Sequence, residues 1–129
     1  MQLLLRFFHI FLFVNSTLIN FQSEINCPLA TFWCATVKVY EENAIFADVL
    51  VAESEPSCLE TGGTVKVNTV GRIDGDGWFD NRYEFLAEVT HTCSRSNRQL
   101  VFREFVGSFA DTRNVLKLRI KLDVQEKGN

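Results

Sequence analysis

The segment that most restricts the fold lies near the C-terminus, where Leu116, Leu118, Ile120, Leu122 and Val124 alternate with Lys117, Arg119, Lys121 and Asp123. Successive side chains of an extended backbone point to opposite sides, so this period of two predicts a strand with one buried and one solvated face. Tyr83, Phe85, Ala87, Val89 and His91 alternate in the same way with Glu84, Glu88, Thr90 and Thr92, although Leu86 interrupts the polar side. Val37 and Val39 alternate with Thr36 and Lys38, Val65 and Val67 with Lys66 and Asn68, and Leu100 to Val106 is a further strand candidate. Only Asn43 to Ala52 suggests anything else, a short helical turn or an irregular strand. Short strands separated by Gly, Asn and Asp clusters predict an all-β antiparallel sandwich, because a parallel α/β fold needs helices between its strands.

The N-terminus predicts the compartment. Phe7-Phe8-His9-Ile10-Phe11-Leu12-Phe13-Val14 is a short apolar run preceded by Arg6, the pattern of a secretory signal peptide. A membrane-spanning helix needs about 20 apolar residues, and Arg6, His9, Asn15 and Asn20 interrupt any such window, so no transmembrane anchor is expected. Cleavage is expected after Ser16, with Ser23 as the fallback, giving a leader over residues 1–16 and one domain over 17–129. That cut removes Asn15, the acceptor of the sequon Asn15-Ser16-Thr17.

The formal charge of −3 becomes −4 when Arg6 leaves with the leader. A mildly acidic domain is a poor nucleic-acid binder, since phosphate contacts depend on clustered Lys and Arg. Cys27, Cys34, Cys58 and Cys93 all lie beyond the leader, and an even count in an oxidising pathway predicts two disulfides, with three connectivities open. A zinc site is not expected: there is no Cys-x-x-Cys pair, and His91 is the one histidine of the mature chain.

Asp74-Gly75-Asp76-Gly77 begins like a calcium loop, but Trp78 stands where a third oxygen ligand belongs and Phe79 where the loop needs glycine, so a tight turn is expected. His91 has no serine or cysteine motif around it that would make it a catalytic base, and a structural role is expected. Trp33, Trp78 and the phenylalanines at 79, 85, 102, 105 and 109 are read as core, with an exposed subset as the alternative.

Taken in order, Cys27, Val37-Lys38-Val39-Tyr40-Glu41, Asp48-Val49-Leu50-Val51-Ala52-Glu53, Asp76-Gly77-Trp78-Phe79 and His91-Thr92-Cys93 resemble the nematode transthyretin-like proteins. The resemblance covers Cys27 to Cys93 and implies a secreted prealbumin-type β-sandwich. It also implies the pairing Cys27–Cys93, leaving Cys34 with Cys58. Side-chain parity is compatible, because Cys93 shares a face with Val89 and Phe85 whereas Cys34 lies opposite Val37 and Val39. Ser54 to Val70 departs from the family pattern as an apparent insertion.

Hydroxyisourate hydrolases share the sandwich, but this chain lacks their Tyr-Arg-Gly-Ser ending, closing instead on Gln125-Glu126-Lys127-Gly128-Asn129. No enzyme activity and no cofactor are expected. The expected function is a secreted carrier, bridging or signalling module that binds an extracellular protein, a cell-surface lipid or a small hydrophobic ligand. This expectation rests on likeness of fold. The alternative is a protease inhibitor or effector acting through a disulfide-tethered loop, Glu53 to Gly63.

Overall fold

The computed structural model describes residues 16–42, 48–74, 82–110 and 114–129. Every element among them is a strand: β1 (Ser16–Cys27), β2 (Trp33–Glu41), β3 (Val49–Glu53), β4 (Ser57–Leu59), β5 (Gly63–Asp74), β6 (Arg82–His91), β7 (Leu100–Ala110) and β8 (Val115–Asp123). They form two sheets, one of order β5-β1-β8 and one of order β3-β2-β6-β7, with β4 added to β2.

The inner faces follow directly from the alternation. Ile19, Phe21 and Ile25 of β1, Val65 and Val67 of β5, and Leu116 and Leu118 of β8 are buried from one side. Trp33, Val37 and Val39 of β2, with Tyr83, Phe85 and Val89 of β6, are buried from the other, and all join one core cluster. Each large apolar side chain taken out of water contributes about 1.5–3 kcal/mol, which offsets the entropy lost in ordering the strands.

The antiparallel sandwich expected from the sequence needs one correction. β1 pairs antiparallel with β5 but parallel with β8, from Leu18↔Val115 to Asn26↔Asp123. A parallel neighbour needs a long crossover, and here the whole second sheet is built between β1 and β8, so the chain can return in the same direction.

One further expectation changes, and two segments are placed. Of Asn43 to Ala52, residues 43–47 lie outside the described residues, and Val49 to Ala52 lie in β3, the irregular strand of the two alternatives, whose register on β2 shifts between Val39 and Tyr40. Ser54 to Val70, read as an insertion relative to the family pattern, supplies β4 and most of β5, which pairs with β1 along twelve positions from Ser16↔Asp74 to Cys27↔Gly63. Phe105 is not core. It stands opposite Leu86 on the outer face and is 56% exposed, while Phe102, opposite Val89, packs on the core. Three residues on from an inward side chain, a strand presents the other face. Trp78, Phe79 and the turn from Gly75 to Gly77 lie outside the described residues.

The sheets meet closely along one edge, where a Cβ at Gly71 of β5 would run into the carbonyl oxygen of Val51 in β3. Glycine permits that backbone approach. Two disulfides brace the frame. Cys27–Cys93 joins the end of β1 to the segment after β6, with both residues fully buried. Cys34–Cys58 links directly opposed residues of β2 and β4 on the outer side.

Candidate functional site

His91 ends β6 on its inward side and is 1% exposed. Its Nε2 lies 2.8 Å from the carbonyl oxygen of Lys127, and its Nδ1 lies 3.0 Å from the backbone nitrogen of Cys93. The Cys93 N–H must donate to Nδ1, so the ring is neutral with its proton on Nε2, donating to Lys127. Phe102 meets the ring edge-on at 5.8 Å. Burial pushes the imidazole pKa below its ordinary 6.5, against the smaller opposing effects of the Lys127 carbonyl and the Glu126 carboxylate. Both nitrogens are therefore committed to holding the C-terminal segment. Backbone bonds continue that clamp, from Glu126 N–H to the Cys93 carbonyl and between Val101 and Asn129 in both directions.

This arrangement sets a pH dependence. A histidine kept neutral by the fold takes up its proton more readily in the unfolded chain. Its stabilising contribution is thus complete above pH 6.5 and declines as the pH falls through that value toward the lower folded pKa. Stability from urea unfolding should fall with pH in that window, by at most about 1.4 kcal/mol per pH unit from this group. The difference between wild type and His91→Gln, measured across the same pH series, should carry that slope; parallel curves would contradict it.

Glu53 to Gly63, the tethered loop of the inhibitor reading, is pinned along much of its length. Ser54 N–H donates to the Val37 carbonyl at 2.9 Å, Ser57–Leu59 pair with β2, and Gly62 N–H donates to the Thr31 carbonyl at 2.9 Å. Glu55, Pro56, Glu60 and Thr61 remain exposed between those anchors.

The outer faces of the two sheets differ in kind. On the larger sheet, Leu50, Tyr40, Leu86 and Phe105 occupy one row across β3, β2, β6 and β7. The neighbouring charges neutralise one another there. Arg103 sits 5.2 Å from the Tyr40 ring centre and pairs with Glu88 at 3.0 Å and Asp48 at 3.3 Å.

The smaller sheet instead exposes Lys66 and Arg72 of β5 and Lys117, Arg119 and Lys121 of β8, against Glu24 and Asp123. Lys121 lies 3.8 Å from the Glu24 carboxylate. Lys66, Lys117 and Arg119 make no ion pair with a described residue. In the middle of this face a shallow polar cavity of about 330 Å³ is lined by Gln22, Glu24, Lys66, Asn68 and Arg119, with Ser23 and Val67 beneath. The strand register builds it: Gln22 is level with Asn68 on one side and Arg119 on the other, and Glu24 is level with Lys66 and Lys121. Cations and amides around an open depression can hold an anionic group and hydrogen-bond its neutral surroundings.

The sequence alone gives none of these cavity residues a binding role, although Lys66, Asn68 and Arg119 are placed on solvent faces by their alternation. The signal was present in the solvent half of the C-terminal alternation, whose Lys117, Arg119 and Lys121 face outward together, but the pairing that brings Gln22, Lys66 and Asn68 beside them is not encoded in any local pattern. No group of three or more His, Cys, Asp or Glu side chains among the described residues is arranged to hold a metal ion.

No curated protein and no solved structure matches the chain. A family model described as Caenorhabditis elegans protein of unknown function (DUF870) matches residues 22–129, which begin within β1 and take in every later strand as well as all four cysteines. The chain belongs to that family.

Proposed function

We propose that this chain is a secreted, non-enzymatic binding module on a transthyretin-like β-sandwich, with its ligand surface on the outside of a disulfide-braced frame. The observation that carries this reading is the polar cavity on the open face of β5-β1-β8, whose lining cations Lys66 and Arg119 are left without a carboxylate partner among the described residues. Two sheets around a shared core, together with the Cys27–Cys93 bridge that the family resemblance implies, support the sandwich. Two disulfides and the apolar leader pattern support secretion.

Strand β1 bears on the cleavage position. A cut after Ser16 keeps Thr17 to Cys27 on β5 and β8, whereas a cut after Ser23 would discard Ile19 and Phe21, both fully buried. Expression with the native leader in a eukaryotic secretory host should place the protein in the medium with Thr17 as its first residue. Retention in the cell with the leader attached would overturn the reading.

A further inference from the structure

Resting on that binding-module reading, we propose that the outer face of β5-β1-β8 binds an acidic polysaccharide, a linear chain carrying sulfate or carboxylate groups. It lies along β8, with one anionic group in the cavity between Lys66 and Arg119. Three observations carry this.

The first is charge segregation. On a chain of net charge −3, this one face gathers Lys66, Arg72, Lys117, Arg119 and Lys121, with Glu24 and Asp123 as the acids among its described side chains. The larger sheet, by contrast, closes Arg103 on its own carboxylates.

The second is spacing. Alternate residues of a strand lie roughly 6.6 Å apart on one face, so Lys117, Arg119 and Lys121 form a straight row roughly 13 Å long. Lys66 stands two strands away, at roughly 9.6 Å from that row. A single small anion reaches only the pair at the cavity. A linear polyanion reaches the whole row and releases counterions from each site it occupies.

The third is the neutral part of the lining. Gln22 and Asn68 each offer an amide donor and an acceptor beside the cations, complementary to the hydroxyl groups that separate the charges of a polysaccharide. Glu24, the one carboxylate of the lining, lies 3.8 Å from Lys121, which offsets part of its repulsion of an anion.

The test uses the mature secreted protein and dextran sulfate, with unmodified dextran, inorganic sulfate and phosphatidylserine vesicles as the comparison ligands. Binding is followed by titration calorimetry across a salt series. Saturable binding to dextran sulfate is expected, with none to unmodified dextran. The doubly substituted K66A/R119A should bind about tenfold more weakly and lose about two from the slope of log K against log salt. A control, R95A/R98A, changes two exposed arginines in the turn between β6 and β7 and should bind as wild type does. The K66A/R119A positions are exposed on strands, and circular dichroism with a non-reduced mass establishes that each variant is folded and bridged.

No binding to dextran sulfate at 0.15 M salt, roughly physiological ionic strength, would overturn the proposal. So would equal weakening by both variants, saturation by inorganic sulfate alone, or vesicle binding that dextran sulfate does not displace. A protein that reaches the medium with both bridges but ignores dextran sulfate overturns this proposal alone, whereas one that never leaves the cell overturns the binding-module reading beneath it.

Discussion

Replacing Cys27 and Cys93 together by alanine should cost about 4 kcal/mol, lowering the melting temperature by roughly 15 °C, measured by calorimetry on the otherwise bridged protein. The bond closes a sequence separation of 66 residues, and the chain entropy released by opening a loop grows with the logarithm of its length. Loop length gives the Cys34–Cys58 bond, with its separation of 24 residues, only slightly less, about 3.4 kcal/mol. Position separates them further. Cys27 and Cys93 are completely buried, and Cys93 also supplies the N–H that fixes His91 and the carbonyl that receives Glu126. Removing that bridge therefore loosens the end of β1, the end of β6 and the C-terminal clamp at once. Cys58 is exposed on a three-residue strand, and its loss should free β4 while leaving both sheets paired. Equal losses from the two double substitutions would contradict this account of the frame.

The second large effect is expected at Phe85. Its ring is fully buried between Tyr83, 5.9 Å away, and Phe109, 6.1 Å away, where β6 faces the opposite sheet. Phe85→Ala removes most of a large apolar side chain and leaves a void that rigid strands on both sides cannot fill, so a loss of about 3–5 kcal/mol is expected in urea unfolding. Phe105→Ala provides the contrast. That ring is 56% exposed, on the outer face, and its truncation should cost about 0.5 kcal/mol or less. The pair tests the register itself, because a one-residue slip of β7 on β6 would exchange its inward and outward side chains.

Much of this frame was legible in the alternation of single strands. Tyr83 to His91 bury every odd residue in the structure, as their apolar spacing predicts, and Val37 and Val39 do the same in β2. β1 carries an equally regular pattern, burying Thr17, Ile19, Phe21, Ser23, Ile25 and Cys27. Two hydroxyl residues dilute its apolar face, and its closeness to the leader hides it, so it passes for the tail of a targeting segment. Phe105 was misplaced because an aromatic residue in a strand reads as core. Its side is fixed by the register on β6, which shifts between Phe85 and Leu86 opposite Gly107 and Phe105. That irregularity has no clear local signature.

The candidate site was hardly legible at all. Its residues come from three strands whose order, β5-β1-β8, is neither sequential nor wholly antiparallel. Lys66 and Arg119 are 53 positions apart in sequence, and only the shared neighbour β1 brings them to one depression. A local pattern states which face a residue occupies, whereas pairing between distant strands decides what stands beside it. His91 shows the same division. Its inward side follows from parity, while its bond to the Lys127 carbonyl depends on how the last residues fold back.

The two-sheet frame is braced at two specific points, and the most direct test of it, and of the secretion proposed above, is peptide mass spectrometry of the unreduced protein collected from the medium. The account predicts two linked peptide pairs, Cys27 with Cys93 and Cys34 with Cys58, with no alkylatable thiol. Free thiols at any of the four positions, or a link from Cys27 to Cys34 or Cys58, would contradict it, since at least one of the two braces would then be missing.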